Sequence, residues 1–335
     1  MARNMRKWLD DMVASPVKKA MPVLSFPAVQ LMGIDVKTLI NSSDSQAEGM
    51  RLVAERVPSA ASVSLMDLSV EAEAFGSTIR FSEDEVPTVL GSIIGDEDAA
   101  QALKIPEIGA ARTGIYIDAI RKASALVQDR PVLAGVIGPY SLAGRLMDVT
   151  EIMYTCYDDP DLVHTVLEKV TTFLISYIEA YRDAGADGVV MAEPLAGLLT
   201  PELSAEFSCA YVKRIVEAVQ TDSFVVIYHN CGNATIQMID EILSTGSAAY
   251  HFGNAISMAE MLPHIPAETV CMGNVDPAGE FRNGTPESIK AVTTELMQAC
   301  TKYPNFVISS GCDIPPASKW ENIDAFFEAV EAFYA

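Results

Sequence analysis

Residues 161–193, DLVHTVLEKVTTFLISYIEAYRDAGADGVVMAE, hold the unit from which the fold can be read. Asp161–Ala184 carries apolar residues at helical spacing, and Ala184-Gly185-Ala186-Asp187 is a helix stop. Glycine serves there because a helix commonly ends on a residue in the left-handed conformation. Gly188–Ala192 is then a short apolar run that ends on an acid, Glu193. A continuous apolar run of this length is what a parallel strand covered on both faces requires.

The same unit recurs in both directions. Further strand-like runs are Pro22–Phe26, Ala61–Met66, Pro131–Ile137, Phe224–Tyr228, Ala248–Phe252, Thr269–Gly273 and Phe306–Ser310. Helical candidates lie between them: Ser45–Arg56, Gly109–Gln128, Pro201–Gln220, Asn233–Ser244, Pro286–Lys302 and Trp320–Phe333. Thr200-Pro201-Glu202 and Thr285-Pro286-Glu287 each read as an N-cap followed by proline at the first helical position. Eight strands alternating with helices predict an α/β fold, a (β/α)8 TIM barrel forming a single domain over 1–335. An N-terminal extension precedes the barrel. An insertion is expected between its second and third strands, where Thr78–Ser82 reads as an extra strand or hairpin.

Composition narrows the function. Half of the 335 residues are hydrophobic, enough for a large core, and the formal net charge is −22. That excess of carboxylates repels polyphosphate, so nucleic acid is not an expected partner. No apolar run approaches the ~18 residues of a membrane-spanning helix, and no secretory signal is recognised, which leads to the expectation of a cytoplasmic protein without membrane attachment. In a reducing compartment the six scattered cysteines are expected to be buried thiols or metal ligands.

The active site of a barrel lies at the carboxyl ends of its strands. Those ends carry Asp67, Gly138-Pro139-Tyr140, Glu193, His229-Asn230-Cys231, Asn254, Asn274-Val275-Asp276 and Cys312-Asp313. Residues two apart in an extended chain face the same way, so His229 and Cys231 can grip one ion, with Cys312 reaching across from the last strand. Three N and S ligands suit zinc and leave its fourth position open. The alternative is that both cysteines are small core residues and His229 a satisfied polar group; shared placement at strand ends favours the ion. Cys156, Cys209, Cys271 and Cys300 read as buried thiols. His164 and His264 read as structural; His251, near the end of its strand, reads as core packing, with a place lining the mouth as the alternative. Asp67 and Glu193 are the candidate catalytic carboxylates, and strand-end placement would allow Glu193 to fill the fourth zinc position. Tyr140, Asn274 and Asp276 are candidate cofactor-binding residues, although packing accounts for Tyr140 equally well and loop shaping accounts better for Asn274 and Asp276.

Three segments carry a family resemblance. Gly273-Asn274-Val275-Asp276-Pro277 resembles the Gly-Asn-x-Asp-Pro loop of the uroporphyrinogen decarboxylase superfamily, and Asp67–Gly76 (DLSVEAEAFG) resembles the segment after the second strand in its methyltransferase branch. His229-x-Cys231 with Cys312 is similar to the zinc pattern of the methylcobamide:coenzyme M methyltransferases. The resemblance spans nearly the whole chain. It implies a zinc enzyme that moves a methyl group from a methyl-corrinoid such as methylcobalamin, borne by a carrier protein, to a small thiol such as coenzyme M. It also implies that Asp67, at the position of the decarboxylases' catalytic aspartate, accepts the thiol proton or orients the substrate. A corrinoid methyltransferase with another donor or acceptor is one alternative, and tetrapyrrole decarboxylation is another. Against decarboxylation, Ser25–Gly33 lacks the arginines that would bind a porphyrinogen's carboxylates, and Ser309–Asp313 lacks the decarboxylases' histidine.

Overall fold

A computed structural model describes residues 3–335. Nine strands occur among the described residues, in chain order: β1 (Ser62–Val63), β2 (Thr78–Arg80), β3 (Thr88–Leu90), β4 (Val132–Ile137), β5 (Gly188–Ala192), β6 (Val225–Asn230), β7 (Ala249–Phe252), β8 (Val270–Val275) and β9 (Phe306–Ser310). Seven of them form one sheet in the order β1-β4-β5-β6-β7-β8-β9, and every neighbouring pair is parallel. Parallel neighbours need crossovers, and helices such as Pro160–Asp183 and Pro286–Cys300 supply them. The cap at Thr285 forms as expected, with a reciprocal bond from Ser288.

The sheet has seven ladder strands among the described residues, not the eight expected. The missing one is Pro22–Phe26, which lies between the two edges yet pairs regularly with neither. Met21 N–H donates to Ile308 O (3.0 Å) on the β9 side, and Ala60 N–H donates to Ala20 O (2.8 Å) on the β1 side. Pro22 has no N–H to give. The next donor, Val23 N–H, goes to the Ser310 hydroxyl (3.0 Å) rather than to a backbone carbonyl. A similar substitution shortens β1. Gly135 N–H donates to Ser64 Oγ and Ile137 N–H to Glu71 Oε1, so side chains replace the upper part of the β1–β4 ladder.

Two apolar layers hold the sheet. Its outer face packs under the helices, while Val63, Leu133, Val190, Ala192, Ile227, Ala249, Met272 and Val307 form a second cluster on the inner face. The N-terminal helix Met5–Ala14 joins that cluster through Met5 and Leu9, plugging the end of the sheet opposite the strand termini. The region after β1 contains the antiparallel hairpin β2–β3. The helix expected over Pro201–Gln220 is interrupted by a π-helical turn at Ala205–Cys209, and the one over Asn233–Ser244 begins as a 3-10 turn. No helix among the described residues is long and apolar enough to cross a membrane.

Candidate metal centre

β6 carries His229 on its inner face, in register with Ala192 of β5 and His251 of β7. Asn230 faces the other way and turns the chain: its amide donates to Tyr228 Oη, and its carbonyl oxygen accepts from Gly232 N–H and Thr235 Oγ–H. That turn swings Cys231 back over the sheet. Gly253 leaves the room it needs, because a Cβ there would sit 2.5 Å from Cys231 Cβ. Cys312 arrives from the loop after β9.

The ligand atoms of His229, Cys231 and Cys312 all lie within 4.8 Å of one another. His229 Nε2 is 3.5 Å from Cys312 Sγ. One tetrahedral zinc ion with its usual bond lengths would set a nitrogen and a sulfur ligand about 3.6 Å apart, so the donors fit the ion in type and number, and this pair fits it in spacing. As free thiols the two cysteines divide the work unequally. A hydrogen bond from Cys312, reinforced by His229, holds Cys231 below the ordinary thiol range, and the same bond holds Cys312 above it.

Behind the trio stands His251, which the sequence assigned to packing. Its Nδ1 is 2.7 Å from His229 Nδ1, and its Nε2 is 2.8 Å from Ser309 Oγ. Burial, then the neighbouring His229, pushes its pKa well below the usual imidazole value. The sequence signal was strand register: two strand-end histidines on adjacent parallel strands can fall opposite each other.

The other expected site residues are held by local bonds. Glu193 is fully buried; it accepts from Tyr140 N–H (2.8 Å), Ser141 N–H (3.4 Å) and Ser141 Oγ–H (3.2 Å), capping the helix Pro139–Met147. Gly138 permits this approach, since a Cβ there would lie 2.2 Å from Glu193 Cγ. Burial raises the Glu193 carboxyl to about 7, and the residue is not part of the 4.8 Å group. Tyr140 is buried, its hydroxyl 3.7 Å from Cys156 Sγ. Asn274 donates to Gly253 O and Ile256 O, and Asp276 accepts from Ala278 N–H and Gly279 N–H. Both therefore shape loops.

Asp67 is engaged on every side. Its Oδ1 accepts from Ser69 N–H (3.1 Å) and Ser69 Oγ–H (2.6 Å), and its Oδ2 from Tyr116 Oη–H (2.8 Å) and from Arg112. Arg112 also meets Glu73 at 2.6 Å and Ser69 Oγ at 2.8 Å. Sequence reasoning missed Arg112 and Tyr116; a single arginine ahead of a helix carries no pattern. A cavity of about 410 Å3 opens beside this cluster, walled by Met66, Ser69, Thr88, Val89, Gly144 and Arg145. Among the described residues Arg145 has no carboxylate partner within 4 Å; its one hydrogen bond goes to Ser141 O at 3.4 Å.

Comparison with known proteins agrees with this architecture. The sequence model of the family described as "Uroporphyrinogen decarboxylase (URO-D)" matches residues 6–333. The chain is 27% identical over 291 residues to the uroporphyrinogen decarboxylase of Coxiella burnetii, covering 83% of this chain and 78% of that protein. It is 24% identical over 273 residues to the methylcobamide:CoM methyltransferase MtbA of Methanosarcina mazei, covering 80% of this chain and 78% of that one. A solved structure described as a methyltransferase from Methanosarcina mazei superposes with a TM-score of 0.86 at 23% identity, covering 100% of both chains, which establishes a shared fold.

Proposed function

The chain belongs to the uroporphyrinogen decarboxylase family, and within it we propose that this member is a zinc-dependent methyltransferase acting from a methyl-corrinoid to a thiol. The observation that carries the reading is the trio His229, Cys231 and Cys312, three N and S donors within 4.8 Å at the carboxyl ends of the strands. Zinc held there would lower the pKa of a thiol bound beside it, so that the thiolate forms near neutral pH. The donor set, one neutral imidazole and two thiolates, carries a charge of about −2 and balances a divalent ion.

In the proposed reaction the thiol sulfur would take the methyl group from the corrinoid, whose cobalt would keep both electrons of the broken bond, and the thiol proton would leave to solvent or base. The chain supplies position. In this reading the cavity beside Arg145, whose lining includes none of the three donors, takes the anionic tail of an acceptor such as coenzyme M, its thiol directed at the trio, and a carrier protein presents the corrinoid at the strand ends. Asp67 acts through position, since both of its oxygens already accept two donors. It holds Arg112 and Tyr116 against the loop that walls the cavity.

The second reading, tetrapyrrole decarboxylation, draws support from the 27% identical Coxiella burnetii relative. A porphyrinogen's carboxylates would need several free cations. Of the twelve arginines, ten among the described residues are ion-paired with the chain's own carboxylates.

The test is direct. Purified protein is assayed for zinc, then mixed with methylcobalamin and a panel of thiols while the cobalamin spectrum is followed. Thiol-dependent demethylation that depends on zinc supports the proposal. Its absence in a zinc-replete sample given a carrier protein, with turnover of a porphyrinogen instead, would establish the second reading.

A further inference from the structure

The three hydrogen bonds behind His229 have a polarity that can be worked out atom by atom. The last link is Ser309 Oγ to Met21 O, at 2.8 Å. A carbonyl only accepts, so the single hydroxyl hydrogen of Ser309 points at Met21. Ser309 Oγ must then accept from His251 Nε2, 2.8 Å away, which places a hydrogen on that nitrogen. His251 is fully buried, and a neutral imidazole has only one N–H, so its Nδ1 is a bare acceptor. The 2.7 Å contact between the two Nδ1 atoms is then a bond in which His229 Nδ1–H donates. With Nδ1 committed to this bond, Nε2 is the nitrogen left for a metal, a lone pair whenever the ring is neutral, and it is the atom that faces Cys312 Sγ at 3.5 Å.

We propose that His251 and Ser309, anchored on the Met21 carbonyl, are positioning residues that lock His229 in the tautomer whose Nε2 can bind metal. Strand register makes the lock possible, because His229 and His251 are direct cross-strand partners. The alternative tautomer of His229 would turn an N–H toward the two sulfurs and set two bare nitrogens against each other at 2.7 Å. A ligating histidine generally has its second nitrogen held in this way, and loss of the holder costs roughly 10–100-fold in metal affinity. Here the holder is itself a histidine, oriented by a third residue and a backbone atom.

The inference rests on reading the trio as a zinc site, and two measurements separate them. The first uses the metal-free wild-type protein. Its four histidines, labelled with 15N and assigned by single substitution, report through long-range proton–nitrogen correlation which ring nitrogen bears hydrogen. The expected result is hydrogen on Nδ1 of His229 and on Nε2 of His251. A His229 Nδ1 without hydrogen would overturn the proposal whatever the metal does.

The second is zinc affinity by competition with a chromophoric chelator. His251→Phe is expected to bind zinc about 10–100-fold more weakly than wild type. His251→Asn places an amide oxygen where Nδ1 was and is expected to recover most of that loss. Ser309→Ala is expected to fall between wild type and His251→Phe. Equal affinity in wild type, His251→Phe and Ser309→Ala would sink the positioning role while leaving the zinc reading intact. Wild type that binds no zinc, yet shows the expected tautomers, would sink the zinc reading and confirm the hydrogen-bond assignment.

Discussion

Replacing Glu193 by glutamine should flatten the dependence of stability on pH. Burial raises the wild-type carboxyl from its ordinary 4.5 to about 7. The folded protein therefore holds a proton that the unfolded chain releases between pH 4.5 and 7. Where the native state binds more protons, stability falls as pH rises. The contribution of Glu193 is fully present below pH 4.5 and is lost progressively until about pH 7. A rise from 4.5 to about 7 corresponds to about 3 kcal/mol. Glutamine keeps an oxygen for the Tyr140 and Ser141 N–H groups but cannot ionise, so this component vanishes. The assay is urea denaturation of metal-free protein at half-unit steps from pH 5 to 8. Wild type is compared with Glu193→Gln, since the remaining pH dependence is common to both. Glu71 is also raised to about 7 by burial, so Glu71→Gln serves as a parallel case and the double variant should be flatter still. Superimposable wild-type and Glu193→Gln profiles would refute the reasoning. Repeating the series with zinc bound shows whether Glu193 ever leaves its helix cap: a difference that disappears on loading would mean that it does.

Further predictions concern neighbouring groups. Cys231→Ala and Cys312→Ala should each abolish stoichiometric zinc binding, whereas Cys156→Ser should retain it; full zinc in Cys312→Ala would remove that residue from the ligand set. Arg112→Leu strands the buried Asp67 carboxylate and should destabilise the protein by about 3–5 kcal/mol. Asp67→Asn in the same chain should recover part of that loss, and a denaturation cycle showing no coupling would contradict the ion pair. Arg145→Gln should raise KM for thiols bearing an anionic group more than for neutral ones, with little change in kcat; equal effects on both would exclude Arg145 from acceptor binding.

Much of this was legible because period and punctuation are local. The spans Gly188–Ala192 and Phe306–Ser310 coincide with β5 and β9, and the caps at Thr200 and Thr285 form where proline and acid mark them. The run Pro22–Phe26 failed as a strand because pairing depends on which acceptors the neighbours offer, and the Ser310 hydroxyl accepts from Val23 N–H in place of a backbone carbonyl. His229, Cys231 and Cys312 could be grouped because strand ends converge in any barrel. The contact of His251 with His229 was not legible because it depends on the register between two strands, which no single run displays. Arg112 was invisible for a related reason: it gains a role only when the chain brings it back to Asp67, 45 residues away in sequence.

The seam between β9 and β1 would couple the mechanics of the fold to the retention of any ion held by His229, Cys231 and Cys312. Met21 uses its N–H to join Ile308 and its carbonyl to receive Ser309. Breathing at this irregular edge would release the last anchor behind His229 before any ladder strand parts, and segments with few backbone bonds open first. The dissociation rate of bound zinc and the hydrogen exchange of the Met21 and Val23 amides should therefore rise and fall together across Ser309→Ala, Ser310→Ala and wild type. Fraying at one edge of the sheet would then set how long the ion stays.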